Sequence, residues 1–268
     1  MKEVNAINQI KVPNTRSSLH KDLQSLGLEK GMVVIVHSSL SALGWVCGGP
    51  VTVVQALMDT VGEEGTIIMP TQTGDNSEPA EWQNPPVPEE WWPIIREEMP
   101  AYDPHFTPSR GMGKIVEAFR TFPGVQRSMH PTYSFAAWGK HAEYILSEQP
   151  LEEGFGLKSP LAKIYELDGY VLLLGAHHDS NTSLHLAEHA IVNRNKVQKG
   201  TALFENNERI WKRYEEIVYN SDSFDALGKE FEEKSPIHSS SVGLATCKLM
   251  KQRQLVDFGR EWLQKNHS

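Results

Sequence analysis

Three short apolar runs limit what this chain can fold into: MVVIVH (residues 32–37), GTIIMP (65–70) and YVLLLG (170–175). Each is apolar at nearly every position and ends at a histidine, proline or glycine. A run without polar alternation suits a strand buried on both faces. Segments with a helical repeat lie between these runs. In SSLHKDLQSLG (17–27), Leu19, Leu23 and Leu26 fall on one side, and Gly27 can stop the helix. PVTVVQALMDTV (50–61) opens with proline, which suits a first helical turn. Further helices are predicted over 111–122, 140–147, 159–166, 222–233 and 248–265, and further strands at 134–139 and 241–246. Such alternation predicts a layered α/β/α fold with a largely parallel central sheet. At 268 residues and 39% hydrophobic, the chain has material for one large domain or two small ones. Ligands in such folds bind in loops beyond the carboxyl ends of the strands. Four loops meet that rule: those from His37, from Thr71, around Arg110 and from Ala176.

Charge and cysteine usage exclude some classes. A net charge of −8 argues against general nucleic-acid binding. No apolar run approaches the roughly 20 residues that span a bilayer, so no membrane role is expected. The first sixteen residues lack an apolar signal core. Cys47 and Cys247 are the only cysteines, which suits a reducing cytoplasm. The acidity is concentrated. Residues 71–105 hold eight carboxylates against one arginine, Arg96, a local charge of −7. This stretch is also rich in proline and tryptophan (EWQNPPVPEEWW) and reads as an ordered insertion with exposed carboxylates. Two readings stay open. It is a solvated lobe with Trp82, Trp91 and Trp92 as its own small core, or a wall that attracts a polycation. The seven tryptophans also allow an interface, so a homodimer is open.

The chemistry-bearing stretches sit at strand ends. After the strand YVLLLG comes NTSLHLAEH (181–189), where Asn181 or Thr182 can cap a helix. On that helix His185, Glu188 and His189 stand at i, i+3 and i+4 and can share a face. H-x-x-E-H occurs in one class of zinc peptidase, and His177, His178 or Asp179 would then be sought as a third ligand. The motif is short and its strand-then-helix setting suits that class poorly. A metal therefore ranks below proton transfer and below an ordinary capped helix. HSSLSALGWVCGG (37–49) turns from a strand into a helix through serines and glycines, a polar turn suited to anions or carbonyl oxygens. It is neither a Walker loop nor a nucleophile elbow. Cys47 reads as a small buried thiol. In FTPSRGMGK (106–114), Arg110 and two glycines before a helix suit a phosphate clamp, or simply a capped helix with an exposed arginine.

The ordered set VHSSLSALGWVCGG, IIMPTQT, TPSRGMGKIVEAF, RSMHPTYSFAAWG, SPLAKIYELDGYVLLLGA and NTSLHLAEH resembles the aminoglycoside N3-acetyltransferase family, from about residue 18 to residue 241. The resemblance implies a single α/β acetyltransferase domain over 1–268, acting with acetyl-coenzyme A on an aminoglycoside amine and requiring no metal. It makes His185 the catalytic histidine and Glu188 its partner, and leaves His189 a structural role. It places His37, Ser38, Ser39, Leu40 and Ser41, with Arg110, Gly111 and Gly113, along coenzyme A. His130, Ser134 and Phe135 are further candidates for the same cleft. Thr71, Asp75, Glu78, Glu81 and Asp179 are nominated toward the small cationic amine substrate. The chemistry follows from the residue types. An ammonium must lose a proton before attacking a thioester, and a neutral imidazole with a pKa near ~6.5 is a suitable base. A carboxylate, Glu188 or alternatively Asp179, would fix its tautomer. Oxyanion donors are sought around Ser38 to Ser41 or at Thr71. The alternatives are an acetyltransferase of this family acting on another amine, a zinc hydrolase using His185 and His189, and a coenzyme-binding protein without turnover.

Overall fold

The structure, a computed structural model, describes residues 2–191 and 194–266. It begins with helices α1 (Lys2–Asn8) and α2 (Arg16–Leu26), then strand β1 (Val33–Ser38), α3 (Gly49–Val61) and β2 (Thr66–Pro70). The insertion carries α4 (Trp92–Glu98). Next come α5 (Lys114–Phe119), β3 (Gln126–Arg127), β4 (Phe135–Gly139), α6 (Ala142–Leu146), α7 (Pro160–Glu166), β5 (Tyr170–Leu174) and α8 (Leu184–Glu188). The chain ends with β6 (Lys196–Glu205), β7 (Glu208–Ile217), α9 (Phe224–Lys234), β8 (His238–Val242), β9 (Ala245–Lys251) and α10 (Gln252–Asn266).

Seven strands form one sheet in the order β3-β4-β2-β1-β5-β9-β8. Its centre, β2-β1-β5, is parallel; β4 and β3 on one flank and β9 and β8 on the other are antiparallel. The apolar runs supply the parallel centre because their side chains are wanted on both faces. Val34 and Val36 join Ile67, Met69, Leu172 and Leu174 beneath α2, α3 and α5. Val33 and Ile35 join Ile68, Val171 and Leu173 beneath α6 to α10. This is the expected α/β/α layering.

Three differences have local causes. The helix predicted from residue 111 begins only at Lys114, because Gly111 and Gly113 take positive φ values of 75° and 90°. Residues 248–251, predicted as helix, extend β9 instead, where Cys247, Leu249 and Met250 pair with β5 and are buried. The ladder overrode their helical preference. The third is a hairpin, β6-β7, in a stretch with no predicted element. It closes through Asn206 and Asn207, both at positive φ.

The insertion docks on that hairpin. Asn76, buried, donates from Nδ2 to Ala202 O and accepts at Oδ1 from Ala202 N–H, both at 2.9 Å. Tyr102 N–H donates to the same carbonyl. Arg209 on β7 donates to Met99 O. The tryptophans do not make a core of their own: Trp91 is 54% exposed, and Trp82 and Trp92 are half-buried.

Candidate active site

Proton-handling groups converge where the central strands end. Helix α8 starts ten residues after β5, so His185 emerges above the carboxyl ends of the parallel strands. Its Nδ1 is 2.6 Å from Glu188 Oε2, one helical turn on. Glu188 is 1% exposed. Its other oxygen accepts from Arg194 at 2.7 Å and from Asn220 N–H at 3.0 Å. The carboxylate is therefore held from three sides, and it in turn holds the imidazole. The ring is also clamped. Phe155 stacks on it at 4.9 Å and 8°, and Tyr219 meets it edge-on at 5.2 Å. With Nδ1 committed, Nε2 is the nitrogen left for a substrate. Asp179, the alternative partner, turns elsewhere: it is exposed, and its Oδ1 accepts from Ser180 Oγ.

His185 borders a cavity of about 620 Å³, shared with His37, Ser38, Ser39, Gln72 and Asp179 among others. A second cavity of about 640 Å³ adjoins it and is lined by Leu40, Ser41, Gly49, Gly113 and Lys114. Both cavities are bounded by Ser38, Ser39, Gly111 and Met112. The glycine loop thus lies against the end of β1, and a Cβ on Gly113 would come within 3.9 Å of Ser38 O. Of the residues that the resemblance set along coenzyme A, Ser38, Ser39, Leu40, Ser41, Gly111 and Gly113 border these adjoining cavities, and His37 shares the first of them with Asp179 and His185.

Other nominated residues are placed differently. Ser134 and Phe135 are fully buried. Ser134 Oγ donates to Thr71 O at 2.8 Å, and Phe135 packs edge-on against Phe155 in the core. Neither faces the cleft: Phe135 begins the internal strand β4, and Ser134 lies just before it. Thr71 is fully buried and bound to Ser134 and Arg127, so it is no surface for a substrate. His130 is 1% exposed and bonds the backbone of its own turn, Thr132 and Tyr133. Arg110 is not at the glycine loop's cavities. It pairs with Asp75 and borders a separate groove of about 300 Å³ with Trp82 and Pro85. Glu78 is buried against Arg96, with a closest contact of 2.5 Å, and Glu81 pairs with Lys199 at 2.6 Å. Three of the insertion's eight carboxylates, all three of them nominated toward the substrate, are thus taken by Arg96, Arg110 and Lys199, which a charge count could not reveal. Cys47 is exposed, not buried.

His189 does not join His185. Its Nε2 bonds Tyr219 Oη at 3.1 Å, and burial lowers its pKa. Among the described residues no group of three or more His, Cys, Asp or Glu is arranged to hold a metal ion. The zinc reading therefore lacks a ligand set. His178, one of the three candidate third ligands, is buried and bonds Glu232 at 2.8 Å.

One group had no sequence signal. Glu216 on β7 is fully buried and accepts from Gly154 N–H at 2.8 Å and from Tyr219 Oη at 3.0 Å. It fixes the turn that carries Phe155 and the ring of Tyr219, the two aromatics that clamp His185. Burial, above all, pushes its carboxyl up to about 7. Only the missed hairpin could have pointed to it.

Fold and site together define an α/β protein with a histidine–carboxylate pair at the head of a two-part cleft. The chain belongs to the aminoglycoside 3-N-acetyltransferase family, whose profile matches residues 35–264. It is 51% identical over 257 residues to the SPbeta prophage-derived aminoglycoside N(3')-acetyltransferase-like protein YokD of Bacillus subtilis, covering 96% of this chain and 94% of that one. The crystal structure of YokD matches with a TM-score of 0.96 at 50% identity, over 97% of each chain. Aminoglycoside N(3)-acetyltransferase VII of Streptomyces paromomycinus is 34% identical over 284 residues, 98% of this chain and 96% of its own. The structure of AAC-IIIb in binary complex with CoASH has a TM-score of 0.85 at 33% identity, covering 95% of this chain and 98% of that one.

Proposed function

We propose that residues 1–268 work as one cytoplasmic acetyltransferase domain that moves the acetyl group of acetyl-coenzyme A to an aminoglycoside, at the 3-amino group of its 2-deoxystreptamine ring. The observation that carries this reading is the 2.6 Å bond between His185 Nδ1 and buried Glu188, with the ring bordering the cleft. That bond fixes the tautomer with Nε2 unprotonated and stabilises the imidazolium that forms on proton transfer. Nε2 takes a proton from the amine as nitrogen attacks the thioester carbonyl. The C–N bond forms, the C–S bond breaks, and the coenzyme leaves as its thiol after protonation. No covalent enzyme intermediate is needed, because a thiolate is a good leaving group.

The two-part cleft suits two substrates. The second cavity has the start of the 13-residue helix α3 and Lys114 on its wall, which favour the coenzyme's phosphates. The coenzyme's arm would pass between Ser38–Ser39 and Gly111–Met112 to bring the thioester beneath His185. The acceptor enters from the Asp179 and Gln72 side of the first cavity. The carboxylate of Asp179 gives a cationic amine a partner there. The family membership and the coenzyme bound in the AAC-IIIb structure support the same reading.

The test is thiol release from acetyl-coenzyme A with a panel of aminoglycosides, beside a His185→Ala variant. Aminoglycoside-dependent release that falls about 10²–10⁴-fold in the variant is the expected outcome. Saturable coenzyme binding without release across the panel would overturn the antibiotic acceptor and turn the search to other amines.

A further inference from the structure

A tetrahedral intermediate puts negative charge on the thioester oxygen, and that oxygen needs a donor already in place. Several groups at the strand ends are engaged. Thr71 N–H bonds Ser134 O, and its hydroxyl lies among Ser134 and Arg127. Ser39 N–H bonds Leu174 O at 3.0 Å.

His37 is placed differently. The two-residue period of β1 puts its side chain on the face of Val33 and Ile35, the face covered by the layer that carries α8 and His185. The residue is 6% exposed and borders the reaction cavity. Its Nε2 is sealed from solvent with no partner among the described residues. Burial first, then the charges that His178 and His185 can carry, lowers its pKa to about 3, so the ring is neutral at working pH. A neutral imidazole carries one proton, on one of its two nitrogens. Burying a donor without an acceptor is the less tolerated arrangement, so the sealed Nε2 keeps the lone pair and Nδ1 keeps the hydrogen.

We propose that His37 is a further catalytic residue, whose Nδ1–H donates a hydrogen bond to the thioester oxygen as it becomes an oxyanion. The proposal rests on the acetyl-transfer reading. No proton changes hands at His37. Its hydrogen bond strengthens as the C–N bond forms and the oxygen takes the electron pair. It relaxes when the pair returns to the carbonyl and the C–S bond breaks. The two histidines divide the work by environment. His185, with a carboxylate behind it, accepts a proton. His37, with no carboxylate bonded to its ring, stays neutral and donates. When His185 becomes an imidazolium, its charge disfavours protonation of His37 further.

Side-chain geometry gives a sharp test. The amide nitrogen of asparagine overlays histidine Nδ1, and that of glutamine overlays Nε2. His37→Asn should keep kcat within about tenfold of wild type, while His37→Gln and His37→Phe should lose about 10²–10³-fold in kcat with little change in KM for acetyl-coenzyme A. Equal losses in the asparagine and glutamine variants, or an unaffected phenylalanine variant, would overturn the proposal. A second measurement does not depend on turnover or on a variant's folding. Ring ¹⁵N spectra of histidine-labelled wild-type protein should show His37 protonated on Nδ1 and free of titration between about pH 5 and 8. A proton on Nε2, or titration in that range, would overturn it as well. Wild-type protein that binds the coenzyme but is silent toward every aminoglycoside would move the acceptor to another amine, and the spectra would still support or overturn the donor tautomer that this proposal requires.

Discussion

At the scale of single residues, the site turns on how Glu188 is shared. One oxygen orients His185, and the other binds Arg194 and the Asn220 N–H. Removing the carboxylate therefore has two separable effects. Glu188→Ala leaves Arg194, also largely buried, without its carboxylate partner and should lower stability by about 3–5 kcal/mol. Glu188→Gln keeps the shape and one acceptor, so unfolding should change less while kcat falls through loss of tautomer control. Urea titration and thiol-release kinetics on both variants separate the effects; equal unfolding midpoints in the two would contradict the shared-carboxylate picture. His185 and Glu188 were legible in the sequence because one helical turn brings positions three apart together. Phe155 and Tyr219, which reach the imidazole, and Glu216, which holds them, were not, because they come from segments far away in the chain.

At the scale of elements, the β6-β7 hairpin connects the insertion to the site. Asn76 holds one side, through Thr201 and Ala202, and Glu216 the other, through Gly154 and Tyr219. Asn76→Ala should leave the Ala202 N–H buried without its acceptor, a loss of about 1–3 kcal/mol. Proteolysis should then cut first within residues 71–105. Cleavage elsewhere first would show that the insertion is held by other contacts. The hairpin turn itself is a second probe. Asn207 sits at φ 64°, so Asn207→Ala should lower stability by about 1–2 kcal/mol and Asn207→Gly should not, as read by chemical denaturation. The adjacent asparagines were the signal for this hairpin. Its strands obscure it, because charged residues recur along both and the apolar alternation is weak.

At the scale of the whole molecule, buried titratable groups set a pH dependence with opposed parts. His37 and His130 are lowered to about 3 and about 4, burial being the first cause of each. Their contribution is present above the unfolded histidine pKa and is lost as pH falls from about 6.5 toward those values. His178 and His189 shift in the same direction. Glu216 runs the other way. Its carboxyl is raised to about 7, so its contribution is full below the unfolded glutamate pKa and is lost as pH rises through about 7. The histidines outnumber it, so the unfolding temperature should fall on acidification from about pH 6.5 to 4.5. Glu216→Gln removes the opposing part and should steepen that fall. It should also flatten the decline across neutral pH, because glutamine can still accept from Gly154 and Tyr219. A calorimetric series over pH on both proteins checks the sign; parallel curves would contradict it.

The sequence by itself determined the layered α/β fold, the strand-end location of the cleft and the shared helical face of His185 and Glu188. These three follow from local rules: period, strand-end topology and helical spacing. The tertiary structure alone decided which polar residues remain available. Phe135 went into the core because an internal strand buries both faces, and Ser134 and Thr71, at the adjoining ends of β4 and β2, bond each other there. Glu78, Glu81 and Arg110 were taken by partners 18, 118 and 35 positions away. His37 was left sealed on one edge, and Glu216 was set behind the aromatics that clamp the base. Charge pairing and burial depend on contacts distant in the chain, and no local pattern encodes them.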